Sequence, residues 1–123
     1  MLKILVADKY TIHRIGLVQI LLDAFPGAIV DEVNDTDTLF AKISSGSWDL
    51  IISGLISPID AGVKIIQEIK TNSRISIAVC GMEISQDKID RLLNAGAAEF
   101  IDKGAKASSI KQQVEKLLAA KAE

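Results

Sequence analysis

The 123-residue sequence holds a single cysteine, a single histidine, one tryptophan and one tyrosine, and each scarcity excludes something. With Cys80 alone there is no internal disulfide, and the chain is expected in a reducing, cytoplasmic setting. Nothing resembles a hydrolase triad, a zinc cluster or a phosphate-cradling glycine motif, so an enzyme is not expected. No apolar run approaches the roughly 20 residues a membrane helix needs, which speaks against a membrane partner. Met1-Leu2-Lys3-Ile4-Leu5-Val6-Ala7 is too short and wrongly flanked for a signal peptide and reads directly as a strand. A net charge of −2 without a basic cluster argues against nucleic-acid binding by this domain itself.

What the chain does have is hydrophobic residues, 49% of the total. With no membrane span to absorb them, they must fill a core or cover interfaces. The length suits one domain over residues 1–123, large enough to bury a real core and too short for two.

Short β-branched runs alternate with longer amphipathic segments five times. Strands are predicted near 2–7, 28–33, 49–53, 76–80 and 98–101, and helices near 12–25, 36–46, 61–72, 85–95 and 105–120. Asp35 and Ser85 stand where helix N-caps belong, and Gly96 where a helix ends. Such alternation calls for a doubly wound parallel sheet with helices on both faces, a three-layer α/β/α arrangement. Five strands with short right-handed connections lead to a flavodoxin-like (βα)5 fold of order 2-1-3-4-5.

In that topology the carboxyl ends of the central strands meet at one crevice, where α/β proteins place ligands. They bring Asp8-Lys9, Gly54, Gly81 and Lys103 together. The run Lys3-Ile4-Leu5-Val6-Ala7-Asp8, the stretch His13-Arg14-Ile15-Gly16-Leu17, Pro58, Gly62 and the segment Asn94 to Lys103 carry a resemblance. Along its whole length the chain resembles response-regulator receiver domains (CheY-like), most of all those of LuxR/NarL-type regulators. The resemblance implies a role in two-component phosphorelay signalling through protein partners. In LuxR/NarL-type regulators a C-terminal helix-turn-helix domain would begin where this sequence stops.

The working set implied by the family is mostly replaced. An acidic pair at the end of the first strand is here Asp8-Lys9; the phosphoacceptor aspartate falls on Gly54; the switch hydroxyl falls on Gly81. Asp8, Lys103 and the switch aromatic Phe100 remain. A family pocket carries a charge of about −2, which Mg²⁺ neutralises, whereas Asp8, Lys9 and Lys103 together carry +1. Mg²⁺ binding is therefore expected to be lost, and with it the clamp on a transferring phosphoryl group. Glycine at 54 offers no acceptor. Ser53 should point away, because successive strand side chains alternate faces, and Asp60 lies beyond Pro58 in the loop. Lys9 is expected to pair with Asp8 or another acid, His13 to pack against the core, and Cys80 to be an inert core thiol.

The first helix carries two apolar stripes. Leu17, Ile20, Leu21 and Ala24 suffice to cover the sheet; Ile15, Val18, Leu22 and Phe25 lie on the roughly opposite side and suggest a partner surface, most simply a two-fold homodimer. The reading is thus a pseudo-receiver acting through protein contacts. An active phosphoreceiver with an unorthodox acceptor, or a flavodoxin-like module binding a small anion or nucleotide near Lys9 and Lys103, are the alternatives.

Overall fold

The structure, a computed structural model, describes residues 1–122, with side chains as far as Ala120. Five strands alternate with five helices: β1 Lys3–Ala7, α1 Thr11–Ala24, β2 Ile29–Val33, α2 Thr36–Ser45, β3 Leu50–Ser53, α3 Ile59–Asn72, β4 Ser76–Gly81, α4 Gln86–Ala95, β5 Glu99–Asp102 and α5 Ala107–Ala122. All pairings are parallel, in the order β2-β1-β3-β4-β5. The flavodoxin-like arrangement expected from the alternation is the one observed.

The period of two along each strand splits the core into two halves. Leu5, Ala7, Ile51, Ile77 and Val79 face Leu39 of α2, Ile65, Ile66 and Ile69 of α3, and Leu92 of α4. Ile4, Val6, Leu50, Ile52, Ala78, Cys80 and Ile101 face Leu17 and Leu21 of α1 and Ile110, Val114 and Leu117 of α5. Strands β1, β3 and β4 are apolar on both faces because both faces are covered, as parallel sheets require.

The helix limits follow local chemistry. Asp35 accepts from the Thr38 amide at 2.8 Å and starts α2; Ser85 accepts from the Lys88 amide at 3.4 Å and starts α4. Gly96, at φ +128°, ends α4 in a conformation that penalises a side chain. Helix α3 begins at Ile59, two residues before the predicted 61, because the Pro58 carbonyl already accepts from the Ala61 and Gly62 amides at 3.0 and 3.3 Å. Asp60, in the first turn of α3, pairs with Arg91 of α4 and ties those two helices together at the surface.

Helix α1 departs from the expected two-stripe pattern. Leu17 and Leu21 are buried, and Val18, Ile20 and Phe25 pack against the α1/α5 half of the core. Val18 and Phe25 are therefore only partly exposed, so Ile15, Val18, Leu22 and Phe25 do not form one fully open face. The stripe left uncovered is Ile12, 83% exposed, Ile15, 56%, and Leu22, 40%. The boundary moved because the sheet and α5 together enclose a wider arc of the helix than one narrow stripe.

Candidate functional site: a crevice at the carboxyl ends of the strands

Backbone hydrogen bonds continue past the ends of the strands and fix the crevice. The Asp8 amide donates to the Val33 carbonyl at 3.1 Å, the Gly54 amide to Ala7 at 2.6 Å and the Lys103 amide to Gly81 at 2.9 Å. Residues 8, 54, 81 and 103 are thereby held at neighbouring places at one end of the sheet. The crevice there has a volume of about 460 Å³ and is lined by Lys9, Gly54, Gly81 and Lys103, as the topology predicted. Tyr10, His13 and Asp35 join them.

Asp8 lies beneath this lining, 1% exposed. Its Oδ2 accepts from Lys103 Nζ at 2.9 Å, and its Oδ1 from the Tyr10 amide at 2.9 Å. Lys103 is itself largely buried, its Nζ also 2.9 Å from His13 Nδ1 and 5.5 Å from the Tyr10 ring centroid. An ammonium has only protons to give, so His13 Nδ1 faces it as an acceptor. Arg14 adds a brace: Nη1 donates to the Asp8 carbonyl at 2.9 Å while Nε pairs with Glu32 at 2.6 Å.

The pairing differs from expectation in two residues. Lys103, not Lys9, is the partner of Asp8. Lys9 is exposed and its ammonium lies 5.1 Å from the Tyr10 ring centroid, with no ion pair among the described residues. The reason is reach: Asp8 is buried at the strand end, on the side of Lys103, while the next residue along an extended chain turns outward. His13 belongs to the crevice rather than to the core. The sequence clue to it was its place in the first turn of α1, five residues after Asp8, though its lysine partner lies 90 residues away.

Both glycine positions are occupied by their neighbours. A Cβ at Gly54 would stand 2.7 Å from Asp8 Oδ2, 3.0 Å from its Cγ and 3.1 Å from Cys80 Sγ. One at Gly81 would meet Ile56 Cδ1 and Ile84 Cγ1, each at 2.8 Å. Ser53 is buried, accepts from the Leu55 amide at 3.2 Å and is absent from the crevice lining. Phe100 is half-buried against the α3/α4 half of the core and does not reach the crevice either.

A divalent cation such as Mg²⁺ requires several converging oxygens. Here the one buried carboxylate is engaged at both oxygens by protein donors, and an ammonium stands against it. Among the described residues no three His, Cys, Asp or Glu side chains converge as metal ligands. The residues do not fit the ion, although the positive charge predicted for the crevice is cancelled once Asp35 is included in its lining.

Cys80 is fully buried on the floor of the crevice. Burial, reinforced by the Asp8 carboxylate and opposed by Lys103, pushes its thiol up to about 12. The raised value means the folded chain keeps a proton that the unfolded chain releases above its ordinary 9.0, so stability falls as pH rises from about 9 towards 12. At pH 8 the native thiol should react with a disulfide reagent about a thousandfold more slowly than in urea; equal rates would show an open site. Gly54→Ala should cost about 1–3 kcal/mol in urea denaturation through overpacking on Asp8 and Cys80, and Gly54→Asp more, because it adds a second carboxylate. An unchanged midpoint in both variants would contradict this packing.

The response regulator receiver domain matches residues 4–115. The glycerol metabolism activator of Pseudomonas putida is 29% identical over 121 residues, covering 96% of this chain and 54% of that protein. The chain thus spans about half the length of that curated relative. The signal receiver domain of a DNA-binding response regulator from Colwellia psychrerythraea 34H superimposes with a TM-score of 0.86 at 17% identity, over 97% of this chain and 99% of that one. A LuxR family DNA-binding response regulator from Silicibacter pomeroyi gives 0.77 at 23% identity, over 98% and 92%. A family match over nearly the whole sequence, on the sheet order and crevice described above, means that the chain belongs to the response regulator receiver domain family of two-component signalling.

Proposed function

We propose that this receiver works without phosphotransfer and acts through protein contacts centred on α1. The observation that carries the reading is the state of Asp8: both carboxylate oxygens are held by Lys103 and the Tyr10 amide. In a receiver that accepts a phosphoryl group, carboxylates hold the metal and one of them is the nucleophile. Here the acceptor position is Gly54, and the space its side chain would need is taken by Asp8 and Cys80. The switch position is Gly81, with Ile56 and Ile84 in the corresponding space. Neither Ser53 nor Asp60 supplies a substitute: the first is buried outside the crevice lining, the second exposed and paired with Arg91. On this reading the domain is a pseudo-receiver, binds no Mg²⁺ and catalyses nothing.

The sequence markers around Arg14-Ile15-Gly16-Leu17 favour the LuxR/NarL-type branch. The domain then sits in the cytoplasm and leaves any nucleic-acid contact to other parts of its protein. No helix among the described residues is long and apolar enough to cross a membrane.

Contact through α1 rests on Ile12, Ile15 and Leu22, which share one helical stripe with Gln19. Exposed aliphatic side chains at that spacing resemble an interface more than a solvated face, and a two-fold pairing of α1 with its copy is the simplest closed arrangement. Because Val18 packs inward, the informative variant is Ile15→Glu with Leu22→Glu. Light scattering should give a dimer mass for the parent and a monomer mass for the double variant, with thermal stability little changed, since exposed substitutions usually shift stability by about 0.5 kcal/mol or less. An identical mass for both proteins would refute the α1 interface.

A further inference from the structure

The crevice carries a feature that loss of phosphotransfer alone does not require: it remains open. Its volume of about 460 Å³ lies within the roughly 300–1,000 Å³ typical of small-molecule pockets. Much of its wall is aliphatic, from Leu55, Ile56, Ile65 and Ile84, with Met82 beside them. Gly54 and Gly81 project no side chain into it.

Charge narrows the class of occupant. Lys103 is already engaged by Asp8 and His13. Lys9 is the one ammonium of the lining without an acid partner among the described residues, resting on the Tyr10 ring. On the β2–α2 side the lining includes Asp35, whose carboxylate is fixed by the Thr38 amide and hydroxyl at 2.8 and 2.6 Å. A dianionic phosphate would therefore find one free cation, a fixed anion and, apart from the neutral donors of Tyr10, Asn34, Thr36 and Ser57, a largely aliphatic wall that leaves its second charge unpaired. A ligand with one negative charge and an apolar body would meet Lys9 with its charge and the aliphatic wall with its body.

We propose that the crevice is a binding site for a small apolar monocarboxylate, with Lys9 as its counter-ion and Leu55, Ile56 and Ile84 as its hydrophobic wall. The site is independent of how α1 is used, and it gives the retired phosphorylation pocket a ligand of different chemistry.

The test is an amide-shift titration by two-dimensional NMR with 3-phenylpropionate, its neutral amide and inorganic phosphate as separate probes. The acid should saturate with a Kd on the order of 1 mM, as expected for a probe of that size, and its shifts should cluster at Gly54, Leu55, Gly81 and Met82. The neutral amide should bind about tenfold more weakly for want of the charged contact. Lys9→Gln, at an exposed position, should bring the acid down to the level of the amide and leave the amide unaffected. Absence of saturation by the acid, shifts confined to another surface, tighter binding of phosphate, or indifference to Lys9→Gln would each overturn the proposal.

Discussion

The ion pair between Asp8 and Lys103 is the constraint on which the rest of the crevice depends. Both groups are withdrawn from water, Asp8 almost completely. Buried pairs gain little net stability from their attraction, yet loss of one partner typically costs about 3–5 kcal/mol because the other charge is stranded. That asymmetry fixes the surroundings. The carboxylate has settled into the space that a side chain at 54 would need, the Tyr10 amide holds its other oxygen, and His13 and Tyr10 converge on the ammonium. Arg14 then links the Asp8 carbonyl to Glu32, so that β1, α1 and β2 are joined at the same corner.

On the proposed reading, this arrangement links Lys9, Gly54 and Gly81 to one another. A carboxylate at 54 would stand against Asp8, whose partner Lys103 is already engaged. A hydroxyl-bearing side chain at 81 would intrude on Ile56 and Ile84, which have closed over that end of β4. The pocket is organised around one ion pair and an aliphatic wall, and on the proposed reading a side chain introduced at 54 or 81 would meet packing as well as missing chemistry. Cys80 shows the same change from the other side: a thiol beneath a carboxylate and excluded from solvent has no use as a nucleophile.

Much of the fold was legible because its signals are local. The alternation of Ile4 and Val6 with Leu5 and Ala7, the cap residues Asp35 and Ser85, and Gly96 at the end of α4 each declare their element within a few positions. The gathering of residues 8, 54, 81 and 103 was equally readable, since it follows from strand order alone. What sequence could not supply was the choice of partner. Lys9 and Lys103 are equivalent candidates for Asp8 until the path of the chain after β1 is known, and His13 enters through a contact spanning 90 residues. Helix α1 was misjudged for a related reason. Its apolar residues run round most of its circumference, so only the positions of the sheet and α5 decide that Val18 and Phe25 are partly covered while Ile12 and Ile15 are exposed.

A receiver whose only buried carboxylate among the described residues is bound to a lysine should be silent towards small phosphodonors. Incubation of the wild-type protein with acetyl phosphate and Mg²⁺, followed by intact-mass spectrometry under acidic conditions that preserve acyl phosphates, measures this directly. The account predicts an unchanged mass. A gain of one phosphoryl group, above all one mapped to Asp8, would contradict it.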